Sequence, residues 1–142
     1  MKIKYTAHAT AEHGGRGVGN VATDDGKVAV KLSQPKAMGG DDGPGTNPDQ
    51  LFAMAYSACF LGAMHTAARR EKKTLPEGAT VTGAVSFADR EDNVGFTIVA
   101  ALEAKVPGWS KDDVEAIMLK AHDICPYSNL IRYEHSVELK AG

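Results

Sequence analysis

The longest apolar run of the chain, LFAMAYSACFLGAM at residues 51–64, contains only one clearly polar residue, Ser57. These fourteen positions are too few to cross a bilayer, so we interpret the run as a core helix. Asn47 precedes it as a candidate N-cap, Pro48 suits the first helical position, and Gln50 stands where a capping box places its partner. Because apolar residues occur on every side of this helix, we expect it to be buried all round.

Short alternating segments on both sides of this helix predict strands. They occupy residues 5–11, 28–33, 81–87, 94–102 and, at the end of the chain, roughly 135–140. The order is strands, helix, strands, a second helix and a last strand. This order predicts an α+β fold, and the length of 142 residues fits one domain over 1–142.

The second helix is predicted to begin after Ser110, which forms a capping pattern with Asp113. Pro126 directly follows Cys125, and because proline interrupts a helix we expect the helix to end there. Its apolar stripe contains Val114, Ile117, Met118, Ala121 and Cys125. The periodicity therefore turns the thiol of Cys125 towards the core.

Composition narrows the class of protein. The chain is 43% hydrophobic and 24% charged, with a formal net charge of −2, which gives no reason to expect nucleic acid or an anionic membrane as partner. The N-terminus MKIKYTAHAT lacks the apolar core of a secretory signal, so we expect a cytoplasmic protein. Thiols are kept reduced in that compartment, where cysteines are more often catalytic, metal-binding or inert than structural disulfides.

The chain has two cysteines, Cys59 and Cys125, and several interpretations compete for them. Both could be small buried hydrophobes without chemistry. A metal site would need His122 and Cys125 together with Cys59 and His65, but the last two are six residues apart and lie on opposing faces of one predicted helix. A cysteine hydrolase would need a histidine base, and nothing local singles out one of the five histidines. We expect no metal site.

Thiol redox chemistry is a further interpretation, beside that of two structural cysteines. It requires one cysteine activated as a thiolate, a second able to form a disulfide with it, and a cation. Cys125 would lie at the C-terminal end of its helix, where the dipole disfavours negative charge, so it suits the resolving thiol. Cys59 lies in an apolar setting that raises a thiol pKa unless a fixed positive charge is near.

Arg16 is the candidate cation, because it lies in a glycine-rich loop, EHGGRGVGN, that can approach other backbone closely. The alternative is an ordinary exposed loop arginine. A buried arginine also needs a counter-ion, and Asp49 in the first turn of the cysteine helix is placed to supply it. Asp49 would otherwise act only on the helix dipole.

Three segments of the chain together resemble one known family. GGRGVGN, GTNPDQLFAMAYSACFLGAM and AHDICPYSNLIR are similar, in order and over nearly the whole chain, to the characteristic segments of the organic hydroperoxide resistance proteins. These belong to the wider group of osmotically inducible protein C. The form CPYSN resembles the hydroperoxide resistance branch more than the osmotically inducible branch.

The resemblance implies a thiol-dependent peroxidase without metal, flavin or haem. Cys59 matches the peroxidatic cysteine, Cys125 the resolving cysteine, and Arg16 the arginine that stabilises the thiolate. The family's partner for that arginine is a glutamate, whereas this chain has Asp49, which keeps the charge but is one methylene shorter. NLIRYEH also replaces the more usual NATRGN at the end of the last segment.

The resemblance also implies a fold of antiparallel sheets packed around a buried central helix, in an intertwined homodimer. It implies an organic hydroperoxide as substrate and lipoylated proteins as the dithiol reductant. A further hypothesis is an apolar wall that favours fatty-acyl or aromatic peroxides, formed by Phe52, Met64, Phe96 and Tyr127. The alternative function is a binding protein of the same fold that holds hydrophobic ligands without chemistry.

Overall fold

The computed structural model describes residues 1–135 and 137–142 of the chain. These form two compact units, 1–51 and 52–142, and each contains an antiparallel sheet of its own. Strands and helices alternate along the chain, so the predicted α+β class is confirmed. The assignment of 1–142 to one domain stays a prediction.

The first unit contains a three-stranded antiparallel sheet. Its strands, in spatial order β1-β2-β3, are Ala9–Glu12, Asn20–Thr23 and Ala29–Lys31. The turn between β2 and β3 is closed by Asp25, whose carboxylate accepts from the Thr23 hydroxyl at 2.7 Å and from the Lys27 backbone N–H at 3.1 Å. Both strands predicted in this region form, but they are shorter than predicted, with β1 beginning only at Ala9.

A long connection, with a short 3-10 helix at Lys36–Met38, joins β3 to the first α-helix. Thr46 returns the chain to the end of β3, because its N–H donates to Lys31 at 2.9 Å and its carbonyl accepts from Ser33 at 2.8 Å. These two bonds fix the place where the helix begins.

Helix α1, Pro48–Arg70, begins as predicted. The Gln50 backbone N–H donates to Asn47 Oδ1 at 2.9 Å, so Asn47 is its N-cap. The Gln50 side chain accepts from the Thr46 hydroxyl at 2.8 Å, one residue earlier than the capping box predicts. At 23 residues α1 is long and apolar enough to cross a membrane, a test that core helices also pass. Its packing favours a core helix.

Burial of α1 is one-sided within the single chain. The buried face consists of Tyr56, Phe60, Ala63, Met64, Ala67 and Ala68. A stripe of Met54, Ala58 and Gly62 is exposed, and Met54 retains 68% of its surface. The expectation of burial all round is therefore not met by the chain alone.

The second unit pairs a β-hairpin with two further helices. Strands β4, Thr80–Asp89, and β5, Phe96–Lys105, are antiparallel, with Val85 opposite Ala100. Helix α2, Lys111–Ile124, begins at the predicted cap. The Asp113 backbone N–H donates to Ser110 Oγ at 3.2 Å, and the Ser110 hydroxyl donates to the Asp113 carboxylate at 2.7 Å.

The buried face of α2 is the stripe that its sequence predicts. Val114, Ile117, Ala121 and Cys125 are all buried, with Ala121 and Cys125 fully so, and Met118 is partly buried. They pack with the buried face of α1 to form the core of the second unit. This packing brings the two cysteine-bearing segments together.

The end of the chain differs from the prediction. Helix α3, Pro126–Arg132, follows α2 directly. Residues 133–135 and 137–142 form no regular secondary structure, and Ser136, within the predicted strand at 135–140, lies outside the described residues. The strand prediction is therefore wrong for the rest of that segment. Alternation of Val137 and Leu139 is not sufficient, because a strand also needs a neighbour for its backbone groups.

Candidate active site

The two thiols meet between α1 and the junction of α2 with α3. The Cys125 thiol donates to Cys59 Sγ at 3.5 Å, and both cysteines are free. Cys125 has no exposed surface, whereas Cys59 is partly exposed. To become a disulfide, whose S–S bond is near 2.05 Å, the sulfurs need approach by only about 1.5 Å. The geometry thus suits a dithiol–disulfide exchange, with Cys59 as the sulfur that an outside reagent reaches.

Cys125 belongs to two helix ends at once. It is the C-cap of α2, donating its N–H to Ala121 at 2.8 Å, and the N-cap of α3, with Pro126 at the first helical position. Pro126 ends α2, as predicted, but it also begins a new helix. The sequence argument placed Cys125 only at the C-terminus of a helix, and the structure corrects this placement because the same residue is also the N-cap of α3.

The electrostatics of Cys59 have opposing contributions. Burial raises the pKa of the Cys59 thiol above its ordinary value, and the neighbouring Cys125 thiol raises it further. The backbone N–H of Tyr127, near the start of α3, donates towards Cys59 and lowers the pKa. The net direction is upward, as expected for an apolar setting. Activation of this thiol therefore needs a positive charge in addition to these contacts.

Two of the four predicted wall residues belong to one aromatic cluster near the thiols. The ring centroids of Phe52 and Tyr127 are 5.7 Å apart, and Tyr56 lies 5.9 and 6.0 Å from them. The other two are placed elsewhere. Met64 is completely buried in the core, and Phe96 on β5 is 63% exposed and packs on Phe87 at 4.7 Å. Core packing accounts for Met64.

A second contact joins the cysteine-bearing helices. The hydroxyls of Tyr56 and Ser128 lie 2.9 Å apart, and both side chains are buried, at 4% and 0% exposure. Sequence reasoning passed over both residues. The available signal was a hydroxyl-bearing residue three positions before Cys59 and another three positions after Cys125.

The angle between α2 and α3 is fixed by Arg132 in the last turn of α3. Its guanidinium donates to the His122 carbonyl at 2.9 Å and to the Asp123 carboxylate at 3.0 Å. The His122 carbonyl is among those that a helix leaves unpaired at its C-terminus. Arg132 therefore holds α3 folded back on α2, with Cys125 at the corner.

In the first unit, Arg16 lies in the β1–β2 loop. The loop turns tightly, with Val18 N–H donating to Gly15 at 3.1 Å. Gly19 closes it at φ +98, where an added Cβ would lie 2.0 Å from the Glu12 carbonyl oxygen. Only glycine fits that position, so the glycine pattern of the sequence serves to fold this loop.

Arg16 and Asp49 form a direct ion pair. Arg16 Nη1 donates to Asp49 Oδ2 at 2.7 Å, with the two side chains 40% and 14% exposed. The shorter aspartate therefore reaches the guanidinium without an intervening water. Asp49 is held in the first turn of α1, where the helix dipole also favours its charge.

The described part of the chain offers no set of side chains for the metal site considered from the sequence. Across residues 1–135 and 137–142, no three or more His, Cys, Asp and Glu side chains are arranged to hold an ion. His122 instead packs on Phe60, with the two ring centroids 6.5 Å apart.

An open, mostly apolar cavity of about 420 Å³ lies within the second unit. Its polar groups come from Tyr56, Glu115 and His122, and the rest of its lining is apolar. The lining residues are Tyr56, Phe60, Ala100, Leu102, Glu115, Met118, Leu119 and His122. Tyr56 thus belongs both to this cavity and to the aromatic cluster beside the thiols.

Comparison with known proteins gives one consistent relationship. The family model described as OsmC-like protein matches residues 39–140. An organic hydroperoxide resistance protein of Xanthomonas axonopodis pv. citri (strain 306) is 44% identical over 97% of this chain and 94% of its own. A crystal structure of an organic hydroperoxide resistance protein from Legionella pneumophila has a TM-score of 0.83 at 40% identity, covering 92% of both chains.

A crystal structure of an organic hydroperoxide resistance protein from Elizabethkingia anophelis has a TM-score of 0.84 at 37% identity, covering 93% of this chain and 91% of that one. The family match spans well over half of the chain, and the relatives match nearly all of it. The chain belongs to the OsmC-like family, among the organic hydroperoxide resistance proteins.

Proposed function

We propose that this protein reduces organic hydroperoxides to alcohols with Cys59 and Cys125 as its redox pair. The observation that carries the proposal is the 3.5 Å contact between a partly exposed sulfur and a fully buried one. The Cys59 thiol is open to a substrate. The Cys125 thiol is protected from the substrate but lies within reach of the sulfenic acid that would form on Cys59. The names of the relatives support the same role in peroxide detoxification.

In the first step the Cys59 thiolate attacks the terminal, hydrogen-bearing oxygen of the hydroperoxide ROOH. An S–O bond forms, the O–O bond breaks, and the alkoxide leaves as the alcohol after taking up a proton. Cys59 becomes a sulfenic acid, having supplied the two electrons that reduce the peroxide. The partial exposure of Cys59 supports its assignment as the attacking sulfur.

In the second step the Cys125 sulfur attacks the sulfur of the sulfenic acid. A disulfide forms and the S–O bond breaks, releasing water. A dithiol then reduces the disulfide by exchange and is itself oxidised to a disulfide. We assign this donor role to a lipoylated protein, as the family resemblance implies.

We assign to Arg16 the role of stabilising the Cys59 thiolate. Its ion pair with Asp49 supports this role, because a guanidinium restrained by a carboxylate loses less freedom when it binds an anion. The upward pKa direction at Cys59 supports the need for such a cation.

The aromatic cluster supports an organic peroxide as the substrate class. Phe52, Tyr56 and Tyr127 place apolar rings near the thiols, which favours an organic peroxide over hydrogen peroxide. We also propose a cytoplasmic homodimer. The exposed apolar stripe of α1 and the exposed side chains of Phe96, Ile98 and Val99 on β5 support a second copy as partner.

One titration tests the proposed function. Free thiols are counted before and after one equivalent of an alkyl hydroperoxide, and the alcohol is measured. We expect two thiols to disappear together with one alcohol formed, and an unchanged thiol count would refute the peroxidase.

The apolar cavity favours a second candidate, a protein that binds hydrophobic ligands without chemistry. Such a protein would bind a fluorescent fatty acid equally well before and after alkylation of Cys59. The peroxidase would instead lose all peroxide consumption on alkylation.

A further inference from the structure

The buried hydrogen bond between Tyr56 and Ser128 lies at the same place as the thiol pair. Tyr56 stands three residues before Cys59 in α1, and Ser128 stands three residues after Cys125 in α3. The two contacts, Cys59 with Cys125 at 3.5 Å and Tyr56 with Ser128 at 2.9 Å, therefore connect the same pair of helices.

Ser128 is the anchor of α3. Among the seven residues of that helix, all of which the structure describes, Ser128 is the one that is buried. The apolar packing of its first turn comes from Tyr127, which is only partly buried against the Phe52 and Tyr56 rings. The hydroxyl bond of Ser128 to Tyr56 is consequently a principal restraint on the first turn of α3.

A hydrogen bond restrains this turn differently from an apolar contact. Two hydroxyls bond only over a narrow range of distance and angle, whereas apolar surfaces can slide. Burial also makes this bond unfavourable to break, because a buried hydroxyl without a partner has lost its hydrogen bonds to water without replacement. The pair therefore defines where the first turn of α3 stands relative to α1.

That turn carries two groups that face Cys59. The thiol of Cys125 is on its N-cap, and the backbone N–H of Tyr127 donates towards the same sulfur. A displacement of the turn would move both groups away from Cys59 together.

We propose that Tyr56 and Ser128 are positioning residues that hold the first turn of α3 so that the Cys125 sulfur stands over Cys59. The inference rests on the proposed function, because the step it serves is the condensation of Cys125 with the Cys59 sulfenic acid. In that step the S–S bond forms, the S–O bond breaks, and the hydroxyl group leaves as water with the proton of Cys125. The hydrogen bond takes no part in this exchange of atoms.

The first experiment measures condensation directly in the full chain. Reduced protein is mixed with one equivalent of an alkyl hydroperoxide in the presence of dimedone, which traps sulfenic acid. The ratio of dimedone adduct to disulfide is read by mass spectrometry. We expect Tyr56→Phe and Ser128→Ala each to raise this ratio about tenfold. Loss of the hydrogen bond leaves the Cys125 sulfur less well placed over Cys59, so condensation slows and dimedone traps more sulfenic acid. In Ser128→Ala, which keeps the three aromatic rings near the thiols, sulfenic acid formation itself should stay within about twofold of the original rate.

The double variant separates positioning from stability. Each single variant leaves a buried hydroxyl unpaired, whereas Tyr56→Phe with Ser128→Ala removes both partners. We expect the double variant to regain most of the stability lost in the single variants but to keep the raised trapping ratio. A ratio that returned to the original value together with stability would overturn the proposal. Should a single variant not fold, the double variant carries the test.

Tyr133→Phe is the matched control. It removes the hydroxyl of an exposed tyrosine at the C-terminal cap of α3, 56% exposed, and should leave the trapping ratio unchanged. If Tyr133→Phe raised the ratio as much as Tyr56→Phe, the effect would not belong to the buried bond and the proposal would fail.

A second measurement does not depend on peroxide chemistry. The Cys59–Cys125 disulfide is brought to equilibrium with mixtures of reduced and oxidised dithiothreitol, which gives the effective concentration of one thiol at the other. We expect this concentration to fall about tenfold in Tyr56→Phe. If the original protein does not consume peroxide but this fall is seen, the proposed function fails and the positioning role survives. An unchanged effective concentration overturns the positioning role itself.

Discussion

The sulfur of Cys125 lies 3.5 Å from that of Cys59, and Cys125 is at the same time the last cap of α2 and the first cap of α3. Cys125, the proposed resolving thiol, is thus at a corner between two helices and fully buried, while Cys59 is partly exposed on a long helix. This asymmetry gives the two cysteines different expected behaviour, although both are small apolar side chains in the core.

Substitution of each cysteine should give a different result. Cys59→Ser should abolish loss of peroxide, because the attacking sulfur is gone. Cys125→Ser should consume one equivalent of peroxide and stop at a sulfenic acid that dimedone traps. Peroxide consumption with a dithiol donor measures both. Normal cycling of Cys125→Ser would show that Cys125 is not the resolving thiol.

The upward pKa of Cys59 predicts the pH dependence of its alkylation in the reduced protein. The thiolate reacts, and its fraction falls about tenfold for each pH unit below the pKa, so a raised pKa means a slower reaction at neutral pH. The rate with iodoacetamide should keep rising beyond the pH at which an ordinary thiol levels off. Cys125→Ala removes one cause of the shift and should move the profile to lower pH.

The same shift has a consequence for folding. A thiol that holds its proton more tightly in the folded state favours folding below its unfolded pKa. This contribution is lost as the pH rises through the folded pKa. The free energy of unfolding of the reduced protein should therefore decline at alkaline pH, and less so in Cys59→Ala. A profile that is the same in both proteins would contradict the direction of the shift.

Local signals in the sequence were sufficient where one residue decides the structure. The caps at Asn47 and Ser110 involve hydrogen bonds over three residues, and both formed as predicted. The effect of Pro126 was harder to predict, because proline both ends a helix and suits the first position of the next one. Whether a new helix follows depends on what the turn packs against, which in this fold is α1 through Ser128.

Contacts between residues far apart in the chain were harder to predict from the sequence. The bond between Tyr56 and Ser128 joins residues 72 positions apart, and neither side chain alone distinguishes it from core packing. The proximity of Cys59 and Cys125 and the pairing of Arg16 with Asp49 were each one of several interpretations of the residues, and the resemblance to a family selected between them. The substrate-binding residues predicted from their apolar character included Met64, which is completely buried in the core.

The ion pair of Arg16 with Asp49 should be needed for peroxide reduction. Asp49→Asn keeps the size but removes the charge that orients the guanidinium, so kcat/KM for an alkyl hydroperoxide should fall between about tenfold and a hundredfold. Asp49→Glu keeps the charge and should retain most of the activity. Arg70→Lys, at the exposed end of α1, is the control. Equal losses in Asp49→Asn and Asp49→Glu would show that charge is not the reason.

The loop that carries Arg16 offers a matched pair of glycines. Gly19→Ala would place a Cβ 2.0 Å from a backbone oxygen at φ +98, whereas Gly15→Ala at φ +73 meets no atom within 4 Å. Gly15→Ala should lower the free energy of unfolding by about 1–2 kcal/mol, the penalty for a left-handed residue. Gly19→Ala adds a clash that backbone must relieve, so its loss should exceed that by about 1–3 kcal/mol. Chemical denaturation compares the stability of the two variants. Peroxidase activity, measured in the folded protein, should fall only in Gly19→Ala, because a shift of the backbone at Gly19 moves Arg16 in the same loop. Equal losses of stability in both variants would mean that the loop accommodates the Cβ at Gly19 without moving.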